Sequence, residues 1–213
     1  MPPECWAGVD VGAGKGFDVA AIDAAGLVAG PQRLATVGAV VDWLLGRPPR
    51  LVAVDSPCRP APDGASSRRA ERDLARAVCG IRYTPDAAAL RASPRYYGWV
   101  RHGFALYEAL DRAGLPAIEC FPTATWTRLG APRGNRSRAA WSREVLWRAG
   151  LEKLPARMGQ DARDAIGAAL TARLHHAGAT ECFGEIVVPR SAAHVRGARA
   201  GSRPPGSRSG RAP

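Results

Sequence analysis

An aspartate inside the first apolar run constrains this chain more than any other feature of its sequence. Residues 5–12 read CWAGVDVG, a short stretch bounded by glycine. Residues 17–24, FDVAAIDA, resume the apolar pattern with β-branched side chains. The glycine-rich segment Gly12-Ala-Gly-Lys-Gly16 between them predicts a turn, so the two runs predict a β-hairpin. A carboxylate in the middle of such a strand is costly to bury unless something neutralises it. Asp10 therefore needs a cation, a set of hydrogen-bond donors or water at its own position.

The rest of the chain supplies more strands and the helices to cover them. Residues 27–34 predict a third strand, interrupted at Gly30-Pro31, and residues 36–45 a helix with Thr36 as N-cap. RLVAVDS, residues 50–56, is the clearest buried strand and is stopped by Pro57. Helices are predicted over 66–79, 94–114, 137–149 and 161–177, with loop or short helix over 80–93. AIECF, residues 117–121, predicts a strand stopped by Pro122, and residues 181–188 a closing strand. A meander, then strands alternating with helices, predicts an α/β domain with a mixed sheet.

Composition bounds the function classes. A chain of 213 residues with 46% hydrophobic content suits one globular domain. The sequence has no apolar run of the roughly 18 residues that span a bilayer and no leader-like N-terminus, which predicts a cytoplasmic protein without a membrane partner. The five cysteines (Cys5, Cys58, Cys79, Cys120 and Cys182) are scattered, with no Cys-x-x-Cys pair, and predict plain buried thiols. Six of the eleven net positive charges fall on arginines beyond Pro189, where no acid occurs. Residues 1–189 thus predict the domain and residues 190–213 a disordered basic tail. The body alone is only mildly basic, which permits a nucleic-acid partner without demanding one.

Further acids share the situation of Asp10. Asp55 ends the strand LVAVDSP, Glu119 lies within AIECFP, and Asp161 and Asp164 stand three apart at the start of the helix DARDAIGAALTA. That spacing puts the last two on one helix face. Neighbouring strands bring distant acids together, and a hard divalent cation such as magnesium takes oxygen ligands. Two such cations activate a water and stabilise a leaving oxygen in phosphoryl transfer.

The strand–turn–strand GVDVGAGKGFDVAAID resembles the opening of the ribonuclease H-like superfamily. More narrowly, four ordered segments resemble the nucleases grouped as domain of unknown function 429. They are GVDVGAGKGF, VAVDSPC followed by RRAERDL, ECFPTATWTRLG, and DARDAIGAALTA with a trailing GEIVVP, and they span most of residues 5–189. The resemblance implies a ribonuclease H-like fold, with a mixed sheet of five or six strands flanked by helices. It also implies a magnesium- or manganese-dependent nuclease acting on nucleic acid. Asp10 matches the superfamily's first-strand aspartate, Asp55 the acid after the first helix, and Asp164 the helix aspartate of resolvase-like members. These three would be the metal ligands, with Glu119 or Asp161 assisting. The resemblance also raises Glu71 and Arg72 as substrate-side residues, and Lys15 is near enough to Asp10 in sequence to steady a phosphate.

Each of these residues has a plainer role to set beside the catalytic one. Asp10 and Asp55 suit turn capping, since Asp-Ser-Pro is good turn chemistry. Asp161 and Asp164 suit the positive end of a helix, and Glu119 sits in so short a strand that either face is open to it. Lys15 suits a hairpin turn, because the Walker spacing is absent. Arg68, Arg69, Glu71 and Arg72 suit a solvated face, Tyr96, Tyr97, Trp99 and His102 packing rather than base stacking, and Trp126, Trp141 and Trp147 the core. Two other functions compete. An actin-like or sugar-kinase-like phosphotransferase would show a second glycine-rich hairpin, and none is found. A non-catalytic binding domain would depend on the basic tail rather than on the acids.

Overall fold

The structure is a computed structural model and describes residues 4–12, 14, 16–130 and 133–191. Lys15 and all of the expected tail beyond Ser191 lie outside the described residues. Seven strands form one sheet in the order β3-β2-β1-β4-β5-β7-β6. The meander β1 (Trp6–Val11), β2 (Phe17–Ile22) and β3 (Leu27–Leu34) is antiparallel. β4 (Val52–Asp55), β5 (Ala117–Cys120) and β7 (Ile186–Pro189) then extend the sheet parallel to β1, and β6 (Thr180–Phe183) closes the edge antiparallel to β7. The order 3-2-1-4-5 with these senses is that of the ribonuclease H-like fold.

Strand alternation divides the core in two. Val9, Val52 and Val54 face one way, against Val40 and Leu44 of α1 (Val37–Leu45) and Leu106 and Leu110 of α4 (Gly98–Arg112). Ala53 and Cys120 face the other way. They meet Trp126 of α5 (Pro122–Leu129), Trp141 and Leu146 of α6 (Arg138–Arg148), and Ile166 and Ala169 of α7 (Gln160–His176). Helix α2 (Arg69–Ala77) closes the β7 end by setting Ala70 and Leu74 on Ala124, Ile186 and Val188. The short α3 (Ala87–Ala92) leads into α4, and Asp86 caps it by accepting from the Ala89 amide.

Helix α7 is buried continuously from Ala162 to Ala172. Small residues allow this. A Cβ on Gly8 of β1 would stand 2.1 Å from the Ala165 carbonyl oxygen and 2.2 Å from the Ala169 amide nitrogen. The absent side chain lets α7 lie directly on β1. On its other side, Gly167 receives the Trp126 ring, which comes within 2.2 Å of where a Cβ would stand.

Several expectations need correction. Residues 181–188 do not form one strand. Gly184, at φ 56°, turns the chain between β6 and β7, giving seven strands instead of five or six. Pro122 does end β5, but it also opens α5, because its fixed φ and missing N–H suit the first helical turn. Trp147 is 60% exposed on α6 and is not core. Cys5 and Cys120 are buried thiols, Cys58 and Cys79 are partly buried, and Cys182 is exposed; all five are free. Among the described residues no helix is long and apolar enough to cross a membrane.

The α7–β1 contact makes a specific demand. Gly8→Ala places a methyl against backbone atoms that cannot rotate away, so it should lower stability by about 1–3 kcal/mol, the usual range for overpacking. Urea denaturation of the two proteins measures the difference.

Candidate metal centre

The hairpin register determines which acids meet. Val11 pairs with Phe17 across the turn, so Asp10 pairs with Asp18, and on its other side Asp10 pairs with Asp55 of β4. Asp18 in turn pairs with Arg33 of β3. Paired residues share a face, so Arg33, Asp18, Asp10 and Asp55 form one row across four strands. This is the face that α7 covers. The N-terminal end of α7 lies over the row and adds Asp161 from its first turn and Asp164 from the next. Asp10, Asp55, Asp161 and Asp164 then line one cavity of about 490 Å³, together with Arg82, Trp99, Thr123 and Arg138.

The carboxylates are unequally supported. Asp164 is the most fully held: Oδ1 accepts from Trp126 Nε1 at 3.0 Å and Gln160 Nε2 at 2.9 Å, and Oδ2 from Arg138 at 2.9 Å. Three bonds leave one lone pair of the carboxylate open. Asp18 takes both Arg33 bonds on Oδ2, at 3.0 and 2.7 Å, and Arg33 also reaches Asp161 at 3.1 Å. Among the described residues no arginine is bonded to Asp10. Burial pushes its carboxyl up to about 8, and the charges of Asp164, Asp161 and Asp18 push the same way, while a hydrogen bond with Asp55 works against them. Asp55 is raised well above the ordinary range, first by burial, then by Asp10 and Asp164, and its bond to Asp10 adds to the effect. Burial also raises Asp164, against the opposing pull of Arg138, Gln160 and Trp126.

This donor set suits a divalent cation. One oxygen from each of Asp10, Asp18 and Asp161 lies within 4.8 Å of the others, close enough to share an ion. Hard oxygen donors of this kind favour magnesium or manganese. The crowding that raises the carboxyls of Asp10 and Asp55 is what a bound cation would relieve.

Glu119 is placed elsewhere, contrary to the expectation that it assists the cluster. It pairs with Val54, one residue out of step with Asp55, and so faces the opposite side of the sheet. There it accepts two bonds from Arg68, at 2.7 and 2.5 Å, and one from the Cys58 amide at 2.9 Å. Arg68 also donates to Glu71 at 3.0 Å, and Glu71 accepts from the Thr84 amide. All three side chains are almost fully buried. Burial opposes the Arg68 charge, and the two carboxylates more than offset it. Arg72 donates to the backbone oxygen and hydroxyl of Ser67. Glu71 is thus held in an internal ion network, and Arg72 is tied to the loop before α2.

The residues missed by sequence reasoning are Asp18, Arg33, Arg82, Thr123 and Arg138. Asp18 was within reach, because pairing about a Gly12–Gly16 turn puts residue 18 opposite residue 10. Arg33 lies in the predicted third strand, but register shifts between β2 and β3 hide its partner, and Arg82, Thr123 and Arg138 lie outside the strands.

No family model and no curated protein matches the sequence. Among solved structures the chain is similar to Thermus thermophilus RuvC in complex with a Holliday junction substrate. The identity is 20% and the TM-score 0.49, covering 82% of this chain and 96% of that one. It is similar also to Thermus thermophilus RuvC alone, at 21% identity and a TM-score of 0.48 over the same shares.

The raised carboxyls give a stability prediction. A folded-state value near 8 for Asp10, against 3.8 for the free side chain, means the folded protein binds more protons between those limits. Metal-free stability should therefore fall as pH rises from about 4 to 8. Asp10→Asn removes the charge and should stabilise the metal-free protein at pH 8–9 by on the order of a few kcal/mol. The gain should shrink toward pH 4. Thermal melts of both proteins in chelator across that range test it.

Proposed function

We propose that this chain is a metal-dependent nuclease that hydrolyses phosphodiester bonds in nucleic acid. The observation that carries the reading is the set of aspartates from two adjacent strands and one helix, gathered in one open cavity. Asp10, Asp55 and Asp164 would hold the metal together with Asp18 and Asp161, whose oxygens lie within 4.8 Å of one from Asp10 and of each other. Magnesium or manganese bound there would supply Lewis acidity toward a phosphodiester and an attacking water.

The protein's own residues would do the positioning. Trp126, Gln160 and Arg138 keep Asp164 in one orientation, and Arg33 does the same for Asp18 and Asp161. Arg138 and Arg82 line the cavity and would face the phosphate. The proton between Asp10 and Asp55 would leave as the cation enters, so metal affinity should rise with pH toward about 8. The closer kinship with domain of unknown function 429 rests on the four ordered segments of the sequence, and a cytoplasmic location belongs to the same proposal.

Calorimetry with manganese on wild type and Asp10→Asn tests the centre, followed by cleavage of labelled oligonucleotides. Wild type should bind and cleave; Asp10→Asn should do neither. Trp126→Phe, which frees one support of Asp164, should lose about 10–100-fold in metal affinity or activity. Failure of wild type to bind at millimolar metal with oligonucleotide present would sink the nuclease reading.

A further inference from the structure

Residues 82–101 contain Arg82, Arg91, Arg95 and Arg101 together with Tyr83, Tyr96, Tyr97 and Trp99. The one acid among them, Asp86, is already engaged by the amides of Gly64 and Ala89. The segment has four cations and four aromatic rings within twenty residues, and it forms one wall of the aspartate cavity through Arg82 and Trp99.

Its aromatic groups are not packed away as core. Tyr96 is 60% exposed and Tyr83 44%. The Arg82 guanidinium lies over the Tyr96 ring, 5.7 Å from its centroid, and Tyr97 meets Tyr96 edge-on at 4.7 Å. Arg82 therefore touches the cavity on one side and the exposed ring on the other. The Trp99 indole N–H is buried and has no hydrogen-bond partner among the described residues. A buried donor without an acceptor is disfavoured, and this one belongs to a residue that lines the cavity.

We infer that this wall is a base-stacking subsite that selects single-stranded or locally unpaired nucleic acid, an inference that rests on the nuclease reading of the neighbouring aspartates. An unpaired base presents a flat face, and aromatic rings and arginine planes are the surfaces on which such faces stack. In a duplex the same faces are covered by neighbouring pairs. The base stacks at Tyr96 and Arg82, the phosphate next to it reaches the aspartates, and Arg91, Arg95 and Arg101 draw the strand to this side. The subsite needs no particular base, since every base has a stacking face.

The test is binding in the full chain carrying Asp10→Asn, so that cleavage does not enter. Anisotropy titrations at one fixed salt concentration use a single-stranded DNA 12-mer, an RNA of the same sequence, and the corresponding DNA duplex. Adding Tyr96→Ala should weaken single-strand binding about tenfold, the order expected for one lost stack, and duplex binding less than twofold. Tyr96→Phe should restore single-strand binding. The DNA and RNA arms show which strand the wall accepts better. Equal losses on single strand and duplex, or no loss on either, would overturn the subsite. If single-strand selectivity holds while wild type cleaves nothing with manganese, the nuclease reading fails and the subsite stands.

Discussion

Helix α7 rests on β1 with no side chain between them at Gly8, and the candidate site depends on that contact. The row of acids across β2, β1 and β4 would otherwise end at open solvent. Close approach of α7 lowers the local polarity over the row and adds two more carboxylates from its N-terminal end. Burial and like charge then act together, and these two effects raise the carboxyls of Asp10 and Asp55 well above the ordinary range. Trp126 completes the arrangement. Its ring packs on Gly167, and its indole N–H is directed to Asp164.

Two groups of buried acids show two solutions to one problem. Glu119 and Glu71 surround a buried arginine, and their oxygens also accept backbone amides, so the group is internally satisfied. Breaking such a network is expensive because it strands an uncompensated charge. Among the described residues the aspartate group has arginine on Asp18 and Asp161 through Arg33 and on Asp164 through Arg138. Asp10 and Asp55 between them open to a cavity. The first group holds α2 and the loop after β4 in place; the second would take up a cation under the function proposed above.

Much of this was legible in the sequence. The hairpin, the buried strand ending at Asp55 and the helix beginning near Asp161 follow from apolar periodicity and from Gly and Pro punctuation. So does the expectation of acids needing a partner. Helix α5 was missed because Pro122 reads equally as a strand stop and a helix start. The β6–β7 hairpin was missed because eight residues of mixed polarity around one glycine look like a single short strand.

The sequence by itself determined that Asp10, Asp55 and Asp164 lie at element positions where a carboxylate needs a counter-charge, since local pattern sets element type and burial. Only the tertiary structure decided that Asp18 joins them and Glu119 does not. Strand register has a period of two, so a shift of one residue between β4 and β5 sends a side chain to the other face of the sheet. The sequence also could not show that Arg68, fifty-one residues away, neutralises Glu119 while no arginine among the described residues is bonded to Asp10. Pairing between distant segments is a property of the packed chain, because charge balance at a buried position depends on which elements meet there.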